Sequence, residues 1–151
     1  MEYDEFQQRT QEIFQARWEK RLKRALELCR SLGGDLDREP APSNEQRIDQ
    51  LRLTTETLLD LGRAKEAYAV FETCHRLLPA TTAQTRAYVL SKAAVAAARL
   101  KRWQDALRLV RRAVNERLTY EPLYETQKEA QRGCELLAGL FRGALRRELR
   151  S

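Results

Sequence analysis

Apolar positions in this chain recur every three or four residues over long stretches, and alternating strand-like patterns are nearly absent. Phe14, Trp18, Leu22, Ala25, Leu26, Cys29 and Leu32 fall on one stripe and predict a single long amphipathic helix over residues 6–32, whose stripe needs a partner surface. Gly33-Gly34 is expected to end it, which assigns residues 1–34 to an N-terminal helix. Residues 35–43, acidic and broken by Pro40 and Pro42, read as a linker, because proline lacks the amide a helix requires and restricts the residue before it. Ser43 followed three residues later by Gln46 forms a capping-box signature. Ile48, Leu51, Thr55, Leu58 and Leu59 then carry a helix to the stop at Leu61-Gly62. A further helix presents Ala67, Phe71, Cys74 and Leu78 on one face and ends at Pro79. Thr81 or Thr82 is placed to cap a helix over residues 87–100, and a turn at Lys101-Arg102 leads into another over residues 103–118. After the break at Pro122, Leu123, Ala130, Cys134, Leu137, Phe141 and Leu145 predict a last helix over residues 123–149.

The two central helix pairs repeat. Ala67, Phe71, Cys74 and Pro79 have counterparts Ala106, Val110, Ala113 and Leu118 at a constant offset of 39. A small residue where two helices cross lets their backbones approach, and a bulky one a turn later fills the space beside it. That is a rule of packing, not of catalysis.

At these residues the chain resembles a tetratricopeptide repeat protein, whose unit of about 34 residues is a pair of antiparallel helices. Gly62, Ala67, Phe71, Cys74 and Pro79 carry the resemblance in a first unit, within residues 44–81. Trp103, Ala106 and Ala113, with Ala93-Ala94 and Ala97 on the close-packed face, carry it in a second, within residues 82–120. Thr54-Thr55 stand where the family has Leu-Gly, Lys101 replaces the turn glycine, and Leu118 replaces the closing proline. The resemblance implies an all-α array of antiparallel helical hairpins, an α-α superhelix, within one domain of residues 1–151. The N-terminal helix and a capping helix over residues 121–151 would cover its ends, because terminal repeats need caps.

Composition narrows the chemistry. With 42% hydrophobic and 33% charged residues the chain suits a compact domain. No apolar run is long enough to span a membrane, and the acidic start Met1-Glu2-Tyr3-Asp4-Glu5 lacks the apolar stretch of a signal peptide, so a cytoplasmic location is expected. Three widely spaced cysteines, Cys29, Cys74 and Cys134, and a single histidine make neither a disulfide framework nor a zinc site. Cys74-His75 is the one place where thiol and imidazole adjoin, yet neighbours on a helix point about 100° apart and cannot pair as nucleophile and base. No glycine-rich phosphate loop is present. No enzyme activity, cofactor or metal is expected.

The charge is uneven. Residues 80–118 hold nine Lys or Arg against two acids, including a basic patch of Arg102, Arg108, Arg111 and Arg112, whereas residues 33–46 hold one base against four acids. Such a run is most simply a solvated face; its functional alternatives are an acidic polypeptide or nucleic acid. Aromatic content of 7%, with Tyr88 and Trp103 not interleaved among the arginines, disfavours nucleic acid.

In the family the first helix of each hairpin lines a concave groove. The resemblance therefore assigns the groove to Asp49, Arg52, Leu53, Glu56 and Leu59, and to Tyr88, Ser91, Lys92, Val95 and Arg99. Relatives that clamp the carboxylate tails of heat-shock chaperones use paired Lys and Asn there, a set that Arg52, Glu56 and Lys92 do not reproduce. Mixed apolar and basic lining suits a peptide or amphipathic helix of another protein. The function so implied is that of a non-enzymatic adaptor or holding chaperone, similar in size to bacterial secretion chaperones; the alternative is a basic helical nucleic-acid-binding domain. Gly133, Gly139 and Gly143 with Leu136 and Leu140 form a second stripe on the last helix, read either as a homodimer seam or as a groove against the first helix.

Overall fold

The computed structural model describes residues 1–118 and, beyond them, residues 135, 136, 138, 139, 142, 143, 146, 147 and 150. All regular structure in these residues is helical. Within residues 1–118 six α-helices follow one another: α1 Tyr3–Trp18, α2 Leu22–Asp37, α3 Asn44–Asp60, α4 Ala64–Cys74, α5 Ala83–Arg99 and α6 Trp103–Leu118, with a 3-10 segment His75–Ala80 after α4. The chain forms two units, Met1–Thr81 and Thr82–Ser151, each described by itself. The expected capping helix, with Leu123, Ala130, Gly133, Cys134, Leu137, Leu140, Phe141 and Leu145, lies mostly outside the described residues. Of its second stripe, Leu136 is 49% exposed.

In the first unit α1 packs on α2, α2 on α3 and α3 on α4, and α1 also touches α3. The expected single N-terminal helix is two helices, broken at Glu19-Lys20-Arg21. Its stripe was composite: positions 14, 18 and 22 keep helical spacing across the turn, but Phe14 and Trp18 face outward at 46% and 84% exposure. The buried face of α1 is instead Phe6, Thr10, Ile13 and Ala16, and that of α2 is Ala25, Leu26, Cys29, Leu32 and Leu36. Phe6, Ile13, Cys29, Leu32, Leu36 and Leu53 make one core cluster.

The break has a backbone cause. Lys20 adopts φ 60°, and the amides of Arg21 and Lys20 donate to the carbonyls of Ala16 (2.8 Å) and Arg17 (3.0 Å). This is a Schellman closure, which satisfies carbonyls the helix leaves unpaired. The same closure recurs at Gly62, φ 74°, with Arg63 to Leu58 at 2.8 Å and Gly62 to Leu59 at 3.0 Å, and at Lys101, φ 60°, with Arg102 to Ala97 at 2.9 Å and Lys101 to Ala98 at 3.0 Å. Each time the arginine carbonyl then accepts the first hydrogen bond of the next helix, from the amide of Ala25, Ala67 or Ala106. Those three alanines are fully buried. Among the described residues this hairpin turn therefore occurs three times, where two repeats were expected.

The second correction concerns Gly33-Gly34, which do not end α2. The helix runs on to Asp37 because Leu36 has a core site, which shortens the linker to residues 38–43. Gly33 lies close to a buried side chain: a Cβ there would lie 2.6 Å from Gln50 Nε2, which donates to the Cys29 carbonyl (2.9 Å) and to Thr54 Oγ1 (3.1 Å). Gly34 faces open space. Gly34→Ala is accordingly expected to raise stability by about 0.5–1 kcal/mol, the helix-propensity gain. Gly33→Ala should lower it, because displacing the buried Gln50 amide costs about 1–3 kcal/mol. Urea midpoints of the two variants moving in the same direction would show that the approach at Gly33 is slack.

Ser43 caps α3 by accepting from the Gln46 amide (3.4 Å), but the expected capping box is half formed, since the Gln46 side chain donates to the Met1 carbonyl (2.9 Å). Thr82 caps α5, accepting from the Thr85 amide at 3.2 Å. In the second unit α5 packs on α6. Ala87, Ala93, Ala94 and Ala97 of α5 and Ala106 and Ala113 of α6 are buried. Arg86 and Glu116 tie the pair at 3.0 Å.

Candidate partner-binding surfaces

The residues assigned to a groove on α3 and α5 have unequal environments. On α3, every residue from Leu53 to Leu59 is buried. Leu53 is a core side chain packed with Phe6, Ile13 and Leu32, so it offers no free face. Leu59 is 7% exposed and Glu56 only 3%. Glu56 reaches Arg17 of α1 at 2.6 Å and Arg52 at 3.4 Å, while Arg17 also reaches Asp60 at 3.1 Å. Partial burial works against the Arg17 charge, but Glu56 and Asp60 outweigh it and hold the guanidinium above its ordinary value. Arg17 was not among the residues picked out from the sequence, and its spacing carried no signal, because its partners lie on another helix.

Asp49 and Arg52 remain half-buried and approach to 3.6 Å. Burial pushes the Asp49 carboxyl above its ordinary value against the pull of Arg52. The threonines at 54, 55 and 57 need no partner from outside: their hydroxyls donate to the carbonyls of Gln50, Leu51 and Leu53 at 2.7–2.9 Å. That back-bonding is how a helix interior accepts threonine.

On α5, Tyr88, Ser91, Lys92 and Val95 are half-buried and Arg99 is exposed. Lys92 sits 5.3 Å from the centre of the Tyr88 ring, and Ser91 donates to the Ala87 carbonyl at 2.7 Å. The basic patch runs from the turn into α6, where Arg102, just before the helix, and Arg108, Arg111 and Arg112 on it are all exposed. Arg102 and Arg108 both grip Asp105, at 3.0 and 2.5 Å, so part of the positive run is spent within its own helix. Gln104, Leu107, Arg108, Arg111, Arg112 and Asn115 line a depression of about 350 Å³.

The thiols that the structure describes are poor nucleophiles. Cys74 is buried, and burial pushes its pKa up from 9.0 to about 11. Cys29 is likewise raised by burial, its sulfur 3.9 Å from Thr57 Oγ1. His75 is exposed, its ring edge-on to Phe71. Among the described residues no group of three His, Cys, Asp or Glu side chains is placed to hold a metal, and no helix is long and apolar enough to cross a membrane.

Among the described residues the exposed large apolar side chains are elsewhere, at Leu136 and at Tyr3, Phe14 and Trp18 of α1. The spacing of the three on α1, 11 and 4 residues, was visible in the sequence, but their separation from the buried face was not. No family model, no curated protein and no solved structure matches the chain.

Proposed function

We propose that this protein is a tetratricopeptide-like helical-repeat adaptor or holding chaperone, which binds a peptide or helix of another protein and performs no chemistry. The observation that supports this best is the threefold recurrence of one hairpin, with the same closure at Lys20, Gly62 and Lys101 and the same buried alanine four residues after the arginine. Repeated hairpins that stack build extended surfaces suited to holding a chain, and use their residues for packing rather than for reaction. On this reading each unit carries its own binding face, through Asp49 and Arg52 of α3 in the first, with Leu53, Glu56 and Leu59 buried on the same helix, and through Tyr88, Ser91, Lys92, Val95 and Arg99 of α5 in the second.

Val95→Glu and Arg99→Glu are expected to reduce retention of the partner at least about tenfold while leaving the helical circular dichroism unchanged, the loss of roughly 1.4 kcal/mol of binding. The measurement is quantitative capture from native lysate with mass spectrometry. Equal retention by the variants and the wild type removes the groove from consideration. The exposed arginines of α6 favour nucleic acid as the second reading, and salt separates the two. Phosphate binding loses orders of magnitude between about 50 and 200 mM salt, and apolar peptide capture far less.

A further inference from the structure

The outward face of α6 carries a surface separate from the binding faces of α3 and α5. At about 100° per residue, Gln104, Arg108, Arg111 and Asn115 fall within about 60° of arc, with Leu107 beside them on one flank and Arg112 on the other. Ala106, Leu109 and Ala113, which are buried, lie on the opposite side of the helix. The four residues of the row are exposed and Leu107 is half-buried. With Arg112 they line the depression of about 350 Å³. Their spacing of 4, 3 and 4 residues is that of a seam along which a second helix can lie.

Charge indicates what the row accepts. The carboxylates of α6, Asp105 and Glu116, sit about 60° or more outside it, and both are engaged. Asp105 is shared between Arg102 at 3.0 Å and Arg108 at 2.5 Å, and Glu116 is held by Arg86 of α5 at 3.0 Å. One carboxylate between two guanidiniums leaves Arg108 undercompensated. Among the described residues no carboxylate pairs with Arg111, so the depression is positive and has no acid in its lining. A guanidinium takes a carboxylate through two parallel hydrogen bonds, and the amides of Gln104 and Asn115 add polar contacts at the two ends of the row. Leu107 gives it an apolar shoulder. A nucleic-acid strand finds less here, because the aromatic side chain of α6, Trp103, is half-buried and about 80° or more from the row, which leaves no ring for a base to stack on.

We infer that the outward face of α6 is a docking surface for an acidic amphipathic helix of another protein, with the carboxylates of that helix at Arg108 and Arg111 and its apolar edge on Leu107. This surface shares no residue with the binding faces proposed above and does not depend on them.

The test titrates the full chain into a fluorescein-labelled synthetic amphipathic helix of leucine and glutamate, at about 150 mM salt so that long-range attraction is screened, and follows anisotropy. Saturable binding is expected. Arg111→Glu should weaken it at least about tenfold and Arg111→Gln several-fold. Position 111 is exposed, so circular dichroism should not change. Val95→Glu should bind the probe as tightly as the wild type, which separates this surface from the face on α5. The inference is overturned by any of five results: no saturable binding of the leucine–glutamate helix, equal binding of a leucine–lysine helix of the same pattern, undiminished binding by Arg111→Glu, equal affinity for an unpatterned glutamate–glycine peptide of the same charge, or tighter binding of a single-stranded oligonucleotide that Arg111→Glu abolishes, which would make the occupant nucleic acid.

Discussion

Replacing Glu56 with alanine is expected to lower the stability of the first unit by about 2–3 kcal/mol, the lower part of the range for breaking a buried ion pair by removing one partner. Glu56 is 3% exposed and faces two guanidiniums, Arg17 at 2.6 Å and Arg52 at 3.4 Å. Without it, Arg17 keeps only Asp60, whose side chain is 45% exposed and whose attraction is screened by water. Arg52 keeps Asp49 at 3.6 Å. The cost therefore comes from leaving the partly desolvated Arg17 with one water-screened partner, not from losing a favourable bridge. That distinction can be measured. Asp60→Ala should cost no more than about 0.5 kcal/mol, and the double variant Arg17→Met/Glu56→Leu should recover most of the loss, since an apolar pair of similar volume has no charge to compensate. Denaturant midpoints give all three values. A double variant as unstable as Glu56→Ala would show that the charges themselves hold α1 to α3.

The second large effect is expected at the hairpin crossing. Ala67→Leu should destabilise the first unit by about 1–3 kcal/mol or more, because the added atoms enter a close-packed crossing where neither backbone can retreat. Ala67 is fully buried, and the bond from its amide to the Arg63 carbonyl (3.0 Å) fixes it one turn beyond the Gly62 closure. Ala69, two residues on, is exposed, so Ala69→Leu should stay within about 0.5 kcal/mol of the wild type. If the three hairpins are one repeat, Ala25→Leu and Ala106→Leu should behave like Ala67→Leu. A tolerant Ala25 would mean that the first hairpin shares the turn of the others but not their packing.

Helix content, the starts at Ser43 and Thr82, and the turns at Gly62 and Lys101 were legible because they depend on neighbours in sequence: hydrophobic period, cap chemistry and left-handed closure. The first hairpin was missed for a physical reason. A lysine at positive φ leaves no mark as plain as glycine, and positions 14, 18 and 22 kept helical spacing across the turn. Yet the signal was present: Lys20-Arg21-Leu22 with Ala25 matches Gly62-Arg63-Ala64 with Ala67, and Lys101-Arg102-Trp103 with Ala106. Gly33-Gly34 misled in the opposite sense, because a glycine needed for close approach to Gln50 looks in sequence like a glycine that stops a helix.

Of the candidate groove, the helical positions were legible and the exposures were not. Leu53, Glu56 and Leu59 share helical spacing with the half-buried Asp49 and Arg52, and periodicity cannot tell a free face from one that a third helix covers. By itself the amino-acid sequence determined an all-α chain of hairpins and where most of them turn, since those choices are made within a few residues. The tertiary structure alone decided which face of each helix is inside, that Glu56 is held by Arg17, and that Tyr3, Phe14 and Trp18 stand outside. Burial and ion pairing depend on residues brought together from distant parts of the chain.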